Sequence, residues 1–355
     1  MNFPNNSFAI RFFSSLKLTV ICLLLLIILI FCGTLYQIEH GLYLAQQKYF
    51  DSFLLFIGPV PFPGAKLVMW VLFLNLITGF AFKYQKDLKK PRILITHLGL
   101  LILLISGFVN QEFSKESFVS LTEGETSDLS QDYQEWKLLV LDDKAKLLKD
   151  FHNKDLQKGK ILVVGDLKVN IDKRYINAML FDTPFAGRIF KELPVEKEYE
   201  KNSPALALAT SKEKFILDAG VQSSYELESN AKKYIFIFQR EEYQLPFAIT
   251  LNDVVRDLHP GTQIAKSYKS EITVNENNLE RKLTISMNKP FRSHGYTVYQ
   301  SNYGIDENGN EFSVLAVVKN PNFVLAYFAS LFTSLGLFMI FIRKIFKYKR
   351  NFVNV

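Results

Sequence analysis

Four stretches almost without charge dominate the sequence: Leu16–Tyr36, Leu67–Phe82, Ile93–Val109 and Asn322–Ile342. A hydrocarbon layer of about 30 Å takes roughly 20 helical residues to cross, and about 17 is near the lower limit. Asn110 to Asn320, by contrast, is polar and varied. A mean hydropathy of only +0.08 hides this segregation. At 355 residues the chain also exceeds what one hydrophobic core normally serves. The pattern predicts a multi-pass α-helical membrane protein with four transmembrane helices and one large extracytoplasmic all-β domain, a sandwich or an open barrel. The expected spans are residues 16–36, 66–83, 93–109 and 322–342, and the β-rich domain covers 110–321.

Charge sets the expected orientation. The first 17 residues hold Arg11 and Lys17, and the link after the second span holds Lys83, Lys86, Lys89, Lys90 and Arg92. The tail beyond the fourth span holds Arg343, Lys344, Lys347, Lys349 and Arg350. Together these segments supply 12 of the 42 basic residues but only one acid, Asp87, of 35. Residues 110–320 hold 28 basic and 32 acidic residues, a net of −4. Lys and Arg in short flanks mark the cytoplasmic side. Residues 1–15, 84–92 and 343–355 are therefore expected in the cytoplasm, and the loop 37–65 and the large domain outside. The net charge of +7 is on this reading a topology signal and calls for no nucleic-acid partner. The first apolar run is too long for a cleavable signal peptide, and no small-residue cleavage site follows it.

The two cysteines, Cys22 and Cys32, both lie in the first apolar stretch, ten positions apart on one helix and too far to bridge. The polar domain has no thiol, which excludes within this chain a CxxC redox site, a cysteine zinc site and a CxxCH haem-attachment site. Phosphate-binding, dinucleotide, nucleophile-elbow and HExxH patterns are absent as well.

The loop 37–65 is rich in aromatics (Tyr43, Tyr49, Phe50, Phe53, Phe56), as a segment in the membrane interface would be, and Pro61 and Pro63 break it before the second span. In the large domain, WKLLVLDD, KILVVGDLKVNI, EKFILDAG, KYIFIFQREE, LPFAITLNDVV, KSEITVNE, RKLTISMN, YTVYQSNYG and EFSVLAVVKN read as strands. Turn chemistry at Pro260-Gly261 and Asp306–Asn310 separates some of them. Helical periodicity is confined there to Asp142–Lys158.

Of five histidines, His97 stands apart because it falls inside the third span, about 6 Å beyond its cytoplasmic edge at Ile93. An ionisable residue at that depth is costly. A neutral imidazole can ligate a metal or haem iron through one nitrogen while the other hydrogen-bonds. An interfacial histidine bonded to a neighbouring helix or a headgroup is an equally good reading. Gly99, Leu103, Ser106 and Gly107 form a small-residue stripe suited to helix packing. His97 stacks with Leu100, Leu101 and Leu104, a wall for lipid or for a porphyrin. His40, next to Gly41, reads as an interfacial loop residue or an external ligand, and His152, His259 and His294 as surface residues. No metal-site spacing links any two of them.

Three groups of residues carry a family resemblance. SSLKLTVICLLLLIILIFCGTLYQ resembles the opening span of the ResB (CcsB) family of System II cytochrome c biogenesis proteins. THLGLLILLISGF resembles that family's histidine-bearing span. LPFAITLNDVVRDLHPGTQIAKSYKSEITV, ISMNKPFRSHGYTVYQSNYG and SVLAVVKNP are similar, in order, to its external domain.

The resemblance implies a protein of the cytoplasmic membrane of a bacterium, its large domain facing outward. There it would work with a ResC (CcsA)-type membrane partner bearing a tryptophan-rich WWD segment. Together they would move haem across the bilayer and present it to the CxxCH motif of apocytochrome c. The chain would then be a subunit of a haem lyase complex rather than a catalyst alone. Haem would be a transient b-type guest, with His97 the position matching the family's haem axial ligand. Trp70 and Trp136 are the only tryptophans here, in keeping with that division of labour. Two other classes compete: a membrane-anchored scaffold in which His97 is incidental, and a b-type electron carrier. The carrier needs two axial ligands where the spans hold one histidine.

Overall fold

The computed structural model describes residues 8–83, 91–183, 187–220, 223–230, 232–262, 265–306 and 308–353. Most of the expected basic link 84–92, the first seven residues and the last two fall outside them. The chain divides into two units, Met1–Ser114 with Asn320–Val355, and Lys115–Lys319.

The first unit is helical. After the short α1 (Phe8–Phe13), α2 runs from Leu16 to His40, its first turn capped by Ser15 Oγ, which accepts from the amide of Lys17 at 3.3 Å. It continues past the expected end at Tyr36, so His40 is the last residue of the helix rather than part of a loop. A short α3 (Leu42–Ala45) and a π-helical turn (Gln46–Phe50) lead into a hairpin of β1 (Leu54–Ile57) and β2 (Val60–Pro63). Sequence patterning had no place for that hairpin. Its two-residue turn puts Gly58 at φ +60°, where a type II′ turn calls for glycine.

α4 (Ala65–Thr78) ends in a π-helical turn (Gly79–Lys83), and α5 (Pro91–Phe113) and α6 (Phe323–Val353) complete the unit. Four helical stretches are long and apolar enough to cross a membrane: Leu16–His40, Ala65–Phe82, Pro91–Phe113 and Phe323–Phe346.

Cys22 and Leu29 of α2 pack with Tyr49, Leu55, Ala65 and Val68, so the inner face of the hairpin closes the core between α2 and α4. Both cysteines are free thiols. Asn75, buried in α4, ties the α1–α2 corner down. Its Nδ2 donates to the carbonyls of Phe13 (2.6 Å) and Ser15 (3.1 Å), and its Oδ1 accepts from Thr19 Oγ1 at 2.7 Å. A buried amide left unpaired here would cost about 1–3 kcal/mol, so the apolar helix can hold it only because both ends are satisfied. Between α4 and α5, Trp70 stacks on Phe108 at 4.4 Å and Lys66 pairs with Glu112 at 3.0 Å.

The second unit is antiparallel β throughout. Its largest sheet has ten strands. The main path runs β15 (Leu279–Ser286), β14 (Ala265–Glu276), β13 (Lys232–Leu258), β4 (Thr126–Leu141), β3 (Lys115–Thr122), β18 (Glu311–Lys319), β17 (Tyr296–Ile305) and β16 (Phe291–Ser293). β12 (Ser224–Ser229) adds to β13, and β5 (Leu147–His152) adds to β4. A four-stranded sheet orders β11 (Lys214–Asp218), β10 (Ala205–Ala209), β7 (Leu167–Tyr175) and β6 (Ile161–Val164), and β8 (Ala178–Thr183) pairs with β9 (Gly187–Glu192).

Two hydrophobic cores share the long strand β13, while β4 contributes to the first alone. One gathers Trp136, Leu138, Leu206, Phe236 and Phe238, and the other Leu121, Phe247, Ile249, Ile272 and Leu315. Along β13 the buried positions are even (Tyr234, Phe236, Phe238) and then odd (Leu245, Phe247, Ile249, Leu251). A register shift against β4 at Arg240/Glu242 lies between the two runs, and a second, at Gln244/Ile249, falls where the odd run begins. Because strand side chains alternate with period two, the odd step changes the face that β13 presents, and so one strand serves both cores.

The helical periodicity noted at Asp142–Lys158 is not realised. Asp142 Oδ1 accepts the amides of Lys144 and Lys146 in a tight turn, β5 follows, and only Asn153–Asp155 forms a single 3₁₀ turn. Phe151 and Leu156, both buried in the first core, set that path.

Candidate functional site

α5 opens with Pro91 at its first helical position, where a missing N–H costs nothing, and its body is an unbroken apolar run. His97 lies in the second turn, half-buried. Its Nδ1 stands 2.8 Å from the carbonyl oxygen of Ile93. A carbonyl only accepts, so in this contact Nδ1 carries the proton and, in the neutral ring, Nε2 carries the lone pair. The helix backbone itself thereby sets the tautomer.

α5 packs closely on α6 through small residues. A Cβ built on Gly99 would come within 2.5 Å of the amide nitrogen of Thr333 and 2.9 Å of the Ala329 carbonyl. One on Gly336 would come within 2.6 Å of the amide of Thr96 and 2.9 Å of the Arg92 carbonyl. Glycine at both positions lets two backbones touch. Further along, Asn322 Nδ2 donates to the carbonyl of Ser106 at 2.7 Å. The stripe read from the sequence is therefore half right. Gly99 and Ser106 are buried, whereas Leu103 and Gly107 are exposed, because a seven-residue step returns almost to the same helical face and a four- or eight-residue step drifts off it. Leu100 is 37% exposed, and Leu101 and Leu104 are half-buried on the side that carries His97.

The other histidines have local partners. His40 stacks flat on Tyr36 with ring centroids 3.9 Å apart, its Nδ1 3.3 Å from the Tyr36 carbonyl. His152 lies 2.7 Å from Glu241 and 3.6 Å from Asp150. His294 occupies a turn at φ +50°, 2.6 Å from Glu276. The backbone carbonyl of His259 accepts from Thr262. Among the described residues no three His, Cys, Asp or Glu side chains gather as a metal site would need. His97 lies on one side of α5 with Leu100, Leu101 and Leu104. That fits one axial bond to a haem iron and not a multi-ligand metal centre.

Residues 208–312 match the ResB-like family. The matched ResB-like segment runs from the end of β10 to the start of β18, so it takes in both the first-core edge and most of the second core. It agrees with the resemblance drawn from LPFAITLNDVV and ISMNKPFRSHGYTVYQSNYG, which fall inside it. At the level of the family it supports a part in cytochrome c biogenesis. His97 lies outside the matched residues. No curated protein matches the chain.

Proposed function

We propose that this ResB-like chain is the haem-handling membrane subunit of a cytochrome c biogenesis complex, with His97 supplying one axial ligand. The observation that carries this reading is the contact of His97 Nδ1 with the Ile93 carbonyl at 2.8 Å, which assigns the metal-binding lone pair to Nε2. A ligating histidine is ordinarily oriented in this way by a hydrogen bond from its other nitrogen. The leucines beside it offer an apolar wall to a macrocycle, and the close approach of α5 and α6 at Gly99 and Gly336 holds the helix that bears it.

Haem is the cargo. When bound it presents iron with two axial positions, and this chain fills one of them. The second ligand comes from a ResC/CcsA-type WWD partner, since His97 is the only histidine in the apolar stretches apart from His40 at the end of α2. The four apolar helices span a bacterial cytoplasmic membrane with both termini inside, as the distribution of basic residues favours. The β-rich unit faces outward, where apocytochrome c receives the haem.

The test is cytochrome c maturation in cells carrying the chain with its partner. His97→Ala inserts normally yet yields little mature cytochrome and a complex stripped of haem, while His152→Ala, at an exposed strand end, matures cytochrome normally. Unchanged maturation and haem content in His97→Ala would overturn the reading.

A further inference from the structure

Partway along β4, beside the Trp136 end of its first-core run, its ladder with β13 is broken. Trp136 pairs with Arg240 and Gln131 with Glu242, so residues 132–135 bulge opposite Glu241 alone. The bulge is locked from within. Asp132 Oδ1 accepts the amides of Gln134 (2.8 Å) and Glu135 (2.9 Å), and Arg240 Nη1 donates to the Asp132 carbonyl at 3.0 Å with its guanidinium 4.7 Å over the Trp136 ring. Bulges of this kind re-aim side chains. Here a cleft results, with Tyr133, Gln134, Trp136, Arg174, Tyr199 and Asn202 among the residues lining it.

The cleft is rich in donors that the protein does not use. Arg174, half-buried at the end of β7, makes a single long bond from Nη1 to the Asn153 carbonyl at 3.3 Å, and no carboxylate among the described residues comes within ion-pair distance of it. The indole N–H of Trp136 and the side-chain amide of Gln134 have no hydrogen-bond partner among the described residues. Burial pushes the Glu135 carboxyl up, against the hydrogen bond of Asn153 and, after it, the charge of Arg174. A half-buried guanidinium with one long hydrogen bond and no ion pair keeps most of its N–H donors unused, and a fork of such donors beside an indole N–H matches the oxygens of a carboxylate.

We infer that this cleft is a carboxylate-binding subsite, with Arg174 as the pairing cation and Trp136 and Gln134 as accessory donors. Its chemistry admits a free small acid, an acidic side chain or a chain terminus.

The full-length protein in detergent tests this, carrying Trp70→Phe so that Trp136 is the sole tryptophan and its emission reports the cleft. Three probes are titrated: acetate, N-acetylglutamate α-methylamide and N-acetylglycine. At least one shifts the emission saturably, and the order of their affinities identifies the source. The neutral N-acetylglutamine α-methylamide binds at least tenfold more weakly than its acidic twin, a comparison that leaves the protein unaltered. Arg174→Gln loses at least tenfold in affinity, and Arg174→Lys loses less. Equal binding of the neutral and acidic probes, no response to any probe, or affinity unchanged in Arg174→Gln would overturn the assignment.

Discussion

His97 Nδ1 and the carbonyl oxygen of Ile93, one helical turn earlier, lie 2.8 Å apart. The bond places the ring proton on Nδ1 before any ligand arrives. Nitrogen-15 NMR of the histidine-labelled protein, at a pH where the ring is neutral, should show the directly bonded proton at Nδ1 of His97. A proton on Nε2 would mean that the backbone does not set the tautomer.

The α5–α6 contact makes a second expectation sharp. Gly99 has no room for a side chain against Thr333 and Ala329, whereas nothing lies within 4 Å of a Cβ on Gly107. Gly99→Leu should therefore lower the stability of the protein in detergent by about 1–3 kcal/mol or more, the range for overpacking. Gly107→Leu on the same helix should be nearly neutral. Thermal unfolding distinguishes them, and equal losses would argue against close backbone contact at Gly99.

How much of this was legible in the sequence depends on the scale of the signal. The apolar runs announce four long helices because sixteen or more residues almost without charge have few alternatives. Alternation in KYIFIFQREE and SVLAVVKN likewise announces half-buried strands. What escaped was whatever depends on tertiary pairing. The β8–β9 hairpin and the short β10 carry too few residues to show a period. Nothing in the sequence of β13 says that Phe238 and Leu245 serve different cores, because the change of face comes from a bulge against a distant strand. His97 was visible as an anomaly of composition. The contact that orients it was not, nor was the division of the glycines between Gly99, which touches α6, and Gly107, which does not. Arg174 gave no sequence signal at all, since a single arginine at a strand end becomes unusual only when no described carboxylate folds within ion-pair distance of it.

The β-rich unit should also show a specific acid sensitivity. Glu276 is held below the ordinary glutamate value of 4.5, chiefly by the hydroxyl of Ser293 and then by His294 and Arg281, against a smaller opposing effect of burial. A depressed folded-state pKa means that the unfolded chain takes up the proton first. The stabilisation is therefore complete above about 4.5 and is lost as pH falls through the folded value. Glu276→Gln should unfold at a lower temperature than the parent near neutral pH, and the gap should close in acid. A gap as wide at about pH 3.5 as at neutrality would contradict this linkage.

The proposed orientation in the membrane rests on the basic flanks. Reporter fusions at Lys86 and Asn230 should report opposite sides, with the fusion at Lys86 in the cytoplasm. The same side for both would refute a four-span arrangement with an external β-rich unit.

The most direct measurement of the central claim is ligand replacement at position 97. The complex of His97→Gly with the proposed WWD partner, purified without and with added imidazole, is examined by optical spectroscopy for bound haem. Because one imidazole nitrogen occupies one axial position, the account predicts little haem in the variant alone and recovery of a six-coordinate haem spectrum with imidazole. Wild-type haem content and an unaltered spectrum in His97→Gly without imidazole would contradict it.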